Sequence, residues 1–179
     1  MEKLDKDKRM SQMICSLLLN ASQDERAQMF MRCCGAQRWV QGMMNYQMSN
    51  DQALLDYADE LWWTLNEKDF LEAFTHHPQI GASLASLRQK FQSTATWSTQ
   101  EQSSVQQASE ECLQALAQAN QDYLQRHGFI FIICASGKSA QEMLDALLQR
   151  LANDSATEIK VAAAEQAKIT RLRLEKLAL

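Results

Sequence analysis

The apolar positions along this chain recur at helical spacing almost throughout. Ser22-Gln23-Asp24-Glu25 has the spacing of a capping box, with Ser22 able to satisfy an early amide and Glu25 reaching back. Behind it Ala27, Phe30, Met31 and Cys34 recur at steps of three and four, and Gly35 is a stop signal. Upstream, residues 10–19 are apolar enough for a short helix or a packed segment. Trp39, Val40, Met43 and Met44 continue as a second short helix or turn. Ser49-Asn50-Asp51-Gln52 repeats the capping-box spacing before a wide stripe of Leu54, Leu55, Ala58, Leu61, Trp62 and Leu65. A further helix from about Glu67 to Phe74 sets Phe70, Leu71 and Phe74 on one face. It ends at His76-His77-Pro78, because Pro78 disfavours helical backbone at His77.

Leu84, Leu87 and Phe91 suggest another short helix, followed by a polar loop over residues 92–96. Ser98-Thr99-Gln100-Glu101 then opens the longest pattern, carried by Val105, Ala108, Cys112, Leu116, Ala119 and Tyr123 and closed by Gly128. Residues 129–134 (Phe-Ile-Phe-Ile-Ile-Cys) have strand-like composition. With no second strand candidate to pair with, they read as a buried extended connector. Ser139-Ala140-Gln141-Glu142 caps a helix to about Asn153, and Asp154 or Ser155 caps a last one running to the C-terminus. The expectation is an all-α fold: one domain over residues 1–179, a bundle of about eight helices with the connector near 129–134. Residues 1–9 form a charged, flexible arm in this reading.

Composition narrows the function without naming it. The chain has 179 residues, enough for one domain with a sizeable core. Only five Gly and one Pro interrupt it, which suits long helices. A formal charge of −4 offers no general attraction to nucleic acid or anionic membrane, so neither is expected as a partner. No apolar run approaches the roughly 20 residues that cross a bilayer. The five cysteines (Cys15, Cys33, Cys34, Cys112, Cys134) include no C-x-x-C pair, and the charged first residues lack a secretory apolar core. Reduced thiols in a cytoplasmic protein are the expectation.

Few residues carry candidate chemistry, and each has a plainer role beside it. His77 sits at a rigid turn where an imidazole could transfer protons, although an isolated histidine is more often structural. Glu101 occupies the third position of its capping box, where helix initiation alone accounts for it. On the last helix Ala162, Gln166, Ile169 and Arg173 share a stripe, and Arg171 points about 200° from Ile169 at roughly 100° per residue. An arginine on that stripe calls for an anionic or carbonyl partner; the plainer account is a side chain snorkelling near a helix end. Gly137-Lys138-Ser139 lacks the earlier glycine of a phosphate loop, Ile132 standing there, and reads as a capped turn. Histidine and cysteine spacing suggests no metal site.

Laid out in order, the pieces resemble the OHCU decarboxylases (2-oxo-4-hydroxy-4-carboxy-5-ureidoimidazoline decarboxylases). They are Trp39-Val40, His77-Pro78 with Ile80-Gly81, Trp97-Ser98-x-x-Glu101-Gln102, Asn120-x-x-Tyr123, Gly128-Phe129-x-Phe131, Ala135-Ser136-Gly137-Lys138-Ser139 and Ile169-x-x-x-Arg173-Leu174. Each is short, and the specificity lies in their order and spacing from about Leu19 to Leu177. The resemblance implies a carboxy-lyase that forms (S)-allantoin in the last step of urate oxidation, with no cofactor and commonly as a homodimer. It implies His77, Glu101 and Arg173 as catalytic residues and Pro78, Ser98 and Gln102 as contacts to the small-molecule substrate. The spacing from Ile169 and the stripe select Arg173 over Arg171. Two other classes remain in view at this stage: a non-catalytic helical interaction module, and a hydrolase acting on a related ureide.

Overall fold

The computed structural model describes residues 13–79, 85, 87 and 110–178. Among them are eight α-helices and no strand: α1 Met13–Asn20, α2 Gln23–Cys33, α3 Gln37–Asn45, α4 Asp51–Trp63, α5 Glu67–Thr75, α6 Glu110–His127, α7 Ala140–Leu151 and α8 Ser155–Glu175. A single 3-10 turn, Lys176–Ala178, follows α8. The all-α expectation is met, and residues 130–135 run without regular structure between α6 and α7. The arm at 1–9, the helix suggested by Leu84 and Phe91, the loop at 92–96 and the capping box at Ser98 lie outside the described residues. Of that stretch only Ala85 and Leu87 are described, both helical.

Local chemistry accounts for most helix ends. Ser22 and Ser139 each form a complete capping box, with Glu25 and Glu142 returning to the cap amide. Gly128 takes φ +78 just past α6, the left-handed conformation that glycine adopts without a Cβ penalty. At α4 the cap is Asn50 and not Ser49: the Asn50 side chain accepts from the Ala53 amide at 2.9 Å. The shift of one residue leaves Gln52 free of any reciprocal duty, and it pairs with Asp56 instead. One other end differs from the pattern, and at a further one the structure selects Asp154 from the two caps expected. Helix α2 stops at Cys33, before Gly35, with Cys34 extended and donating to the Phe30 carbonyl. Helix α8 is capped by Asp154, which accepts from the Thr157 amide at 2.8 Å.

The chain divides into two compact units, one of Met1–His76 with Ala163–Leu179 and the other of His77–Ala162. The first is cored by Phe30, Trp39, Met43, Leu54, Trp62 and Phe74. Its two buried indoles find carbonyl acceptors, Trp39 at Ala58 and Trp62 at Ala163, each at 3.0 Å. Buried Asp51, at the start of α4, accepts from the Ile14 and Cys15 amides at 3.0 and 2.9 Å. It thereby satisfies the unpaired N-terminus of α1 from another helix. The second unit packs α6 against α7 around Leu116, Tyr123, Phe131, Met143 and Leu147.

Candidate active site

His77 owes its place to the way α5 is bounded. Asn66 and Asp69 form a capping box at its start, which the sequence patterns above did not single out because both partners are shortened, Asn for Ser and Asp for Glu. At the other end His76 takes the C-cap position and donates its backbone N–H to Ala73 and Phe74. The chain then turns out of the helix through His77 and Pro78. His77 is half-buried and Pro78 exposed.

Arg173 lies on α8, whose buried line runs through Ala163, Gln166, Thr170 and Leu174. Of the predicted stripe Ala162 and Gln166 are buried, whereas Ile169 and Arg173 are half-buried and stand at its rim. Arg173 Nη1 donates to the carbonyls of Arg32 at 3.1 Å and Cys33 at 3.4 Å, the last turn of α2. Those carbonyls carry the partial negative charge of the helix C-terminus, so the guanidinium has the carbonyl partner its position called for. Arg171 faces elsewhere, with Asp59 at 2.8 Å, Glu175 at 3.5 Å and Asp56 at 3.6 Å. Beside Arg173, burial pushes the Cys33 thiol up to about 12 and the Cys34 thiol up to about 11. Neither is a ready nucleophile.

Ser98, Glu101 and Gln102 lie outside the described residues. His77 and Pro78 open the second unit, and Arg173 belongs to the first.

The structure also reveals a buried ionic cluster that sequence reasoning missed. Arg150 of α7 meets Glu158 of α8 through Nε at 2.8 Å and Nη2 at 2.6 Å. Its Nη1 donates to the Ile132 carbonyl at 2.7 Å, and its guanidinium carbon lies 4.5 Å from the centre of the Phe131 ring. The Tyr123 hydroxyl donates to the same carboxylate, and Asn153 Nδ2 reaches its other oxygen at 2.7 Å. Burial pushes the Tyr123 hydroxyl well above its ordinary value, so it stays protonated as a donor. This one arginine thus holds the middle of the 129–134 connector. A signal for it existed: Met143, Leu147 and Arg150 share one helical line, and so do Glu158 and Ala162.

Two further candidates resolve simply. At the start of α7 the Ser139 amide donates to the Glu142 carboxylate and the Glu142 amide to the Ser139 hydroxyl, so this N-terminus already holds a carboxylate of its own. Hydrogen bonds from the Ser139 backbone and hydroxyl hold the Glu142 carboxyl below its usual range. No group of three or more His, Cys, Asp or Glu among the described residues could hold a metal ion.

An all-α scaffold that presents a histidine at a proline turn and an arginine at a helix end is the class of protein defined so far. The family model for OHCU decarboxylase matches residues 20–175, and the chain belongs to that family. It is 41% identical over 148 residues to the uric acid degradation bifunctional protein TTL of Arabidopsis thaliana, covering 81% of this chain and 45% of that protein. It is also 43% identical over 56 residues to the 2-oxo-4-hydroxy-4-carboxy-5-ureidoimidazoline decarboxylase of Amia calva, covering 31% of this chain and 32% of that one. The chain thus spans less than half the length of these curated relatives. Among solved structures, an OHCU decarboxylase crystallised in the presence of (S)-allantoin superposes with a TM-score of 0.68 at 37% identity. That match covers 88% of this chain and 98% of the other. An (S)-allantoin synthase matches with a TM-score of 0.63 at 17% identity, covering 89% and 52%, a likeness of fold alone.

Proposed function

We propose that this chain decarboxylates 2-oxo-4-hydroxy-4-carboxy-5-ureidoimidazoline to (S)-allantoin, closing the oxidation of urate. One observation carries the reading: a solved OHCU decarboxylase, 37% identical, is matched over 98% of its length. The substrate bears its carboxylate on a carbon that also carries a hydroxyl and adjoins a C=N bond. As the C–C bond breaks and CO2 leaves, its electron pair moves toward that C=N, so the substrate is its own electron sink and the reaction calls for no cofactor. A proton must then return to the ring on one face only.

His77 takes the hydroxyl proton or polarises that group. Glu101 stands near the leaving carboxylate or orients His77; an anion there disfavours the charged ground state relative to neutral CO2. Arg173 binds a carbonyl oxygen of the ring or ureido group and stabilises the negative charge that develops. Pro78, Ser98 and Gln102 complete the contacts to the ring, with main-chain groups of the connector beside them. The reading also includes a cytoplasmic homodimer. Its supports are the burial of four of the five cysteines and an α1 that exposes Met13, Leu17 and Leu19.

The test is His77→Asn, followed by the optical activity of the allantoin formed. Spontaneous decay of the substrate gives racemic product, so an excess of the (S) form reports turnover. The variant is expected to lose about 10²–10⁴-fold in rate. Undiminished (S)-allantoin from a folded variant would remove His77 from the chemistry. No (S) excess from the unmodified chain would remove the activity itself.

A further inference from the structure

The joint between α2 and α3 supports more than a change of direction. Gly35 within it is buried, and a Cβ added there would stand 2.4 Å from Cγ, 2.5 Å from Cδ2 and 2.6 Å from Cβ of His76. These atoms are the root of the side chain and the near edge of its ring, so no rotation of a distant tip relieves the overlap. The His76 backbone is itself held, its N–H directed at Ala73 and Phe74. Ordinary carbon contact begins at about 3.5 Å, so a methyl group on Gly35 would displace His76 by about 1 Å. Positive φ is not the reason for this glycine; among the described residues only Gly128 and Gly137 have it. Close approach is the reason.

His76 is bonded directly to His77, and Pro78 narrows the backbone freedom of His77 from the other side. A displacement at His76 therefore has little slack in which to dissipate. The end of α2 that leads into this joint also accepts the hydrogen bonds of Arg173, through Arg32 and Cys33.

We propose that Gly35 and His76 are positioning residues for His77: the bare backbone of Gly35 seats the His76 side chain and so sets where the His77–Pro78 turn begins. The proposal rests on the reading of His77 as the proton-transfer group. A misplacement of about 1 Å costs about 10²-fold in rate when the displaced group must meet a reacting atom.

The test is a double-mutant cycle on the full chain, with initial rates of (S)-allantoin formation across pH for Gly35→Ala, His76→Ala and the pair. Gly35→Ala is expected to lose about 10–100-fold in kcat with KM within about threefold, and to displace the acid limb of its kcat profile. His76→Ala should lose less. The pair should lose less than the product of the two single losses, because the ring atoms at 2.4 and 2.5 Å are gone while only His76 Cβ, at 2.6 Å, remains to be displaced. A folded Gly35→Ala that keeps kcat within about twofold overturns the proposal, as does a pair whose loss is the product of the two single losses. Should Gly35→Ala fail to fold, His76→Ala decides: lower kcat at unchanged KM supports the seating, and unchanged kcat and pH profile overturn it. An unmodified chain that makes no (S)-allantoin removes the activity and this proposal together. An active one whose folded Gly35→Ala is indifferent removes the positioning alone.

Discussion

Arg150 and Arg173 both donate to backbone carbonyls, yet the two sites are built for different ends. Arg150 is buried, fixed by Glu158, and caught between the Ile132 carbonyl and the Phe131 ring. Its charge is compensated inside the protein, and what it holds is backbone. Arg173 is half-buried at the rim of α8 and donates to two carbonyls in the last turn of α2, where the helix dipole is negative. A guanidinium matched to a full carboxylate is committed to the fold. One that is half-exposed at a helix rim and donates to backbone can also interact with a ligand that develops charge.

The largest expected effect tests the first half of that contrast. Arg150→Met should destabilise the chain by about 3–5 kcal/mol in denaturant unfolding, because it leaves the Glu158 carboxylate buried and uncompensated. Adding Glu158→Gln should recover part of the loss. A cost under about 1 kcal/mol would place Arg150 among the weak surface pairs and erase the distinction. Next comes Arg173→Ala, expected to lower (S)-allantoin formation about 10²-fold while costing stability only about 1 kcal/mol. Arg173→Lys should keep the stability and not the rate, since an ammonium lacks the planar fork. If Arg173→Ala lost stability and kept turnover, Arg173 would be a helix cap and nothing more.

The smallest effect concerns the neighbourhood of Arg150. His127 closes α6 beside Tyr123, with Nδ1 at 3.2 Å from the Ser155 hydroxyl. Burial holds its pKa below the ordinary 6.5, opposed by Glu158 and Asp154 and assisted by Arg126 and Arg150. Below 6.5 the unfolded chain takes a proton that the folded chain resists, so stability present above that pH is lost as pH falls toward the folded value. His127→Gln should therefore flatten the decline of unfolding free energy from neutral pH toward pH about 5. An unchanged slope would show that His127 titrates alike in both states.

Helix identity was legible because it is local. The caps at Ser22 and Ser139 and the glycine at 128 act within a turn of backbone, and a single sequence carries that information. Even there the margin was one residue at Asn50, since Asx and Ser side chains compete for the same amides. The extended connector was legible for a different reason, the absence of any partner strand in the pattern. Asp51 was not. Its place in a local capping motif gave no hint that its carboxylate serves the amides of Ile14 and Cys15. Of the candidate site, the residue types and their order were readable as a family pattern. The contacts that hold them were not.

The chain by itself determined an all-α protein, the caps at Ser22 and Ser139, the glycine stop at Gly128, and the turn at which His77 is offered. Periodicity specifies which face of a helix is apolar and leaves open what that face will meet. Only the tertiary structure decided that Arg150 pairs with Glu158, that Arg173 rests on the end of α2, and that Gly35 makes room for His76. The first depends on how two consecutive helices pack, and the other two on the approach of segments distant in sequence, where an ångström of backbone separation decides between contact and overlap.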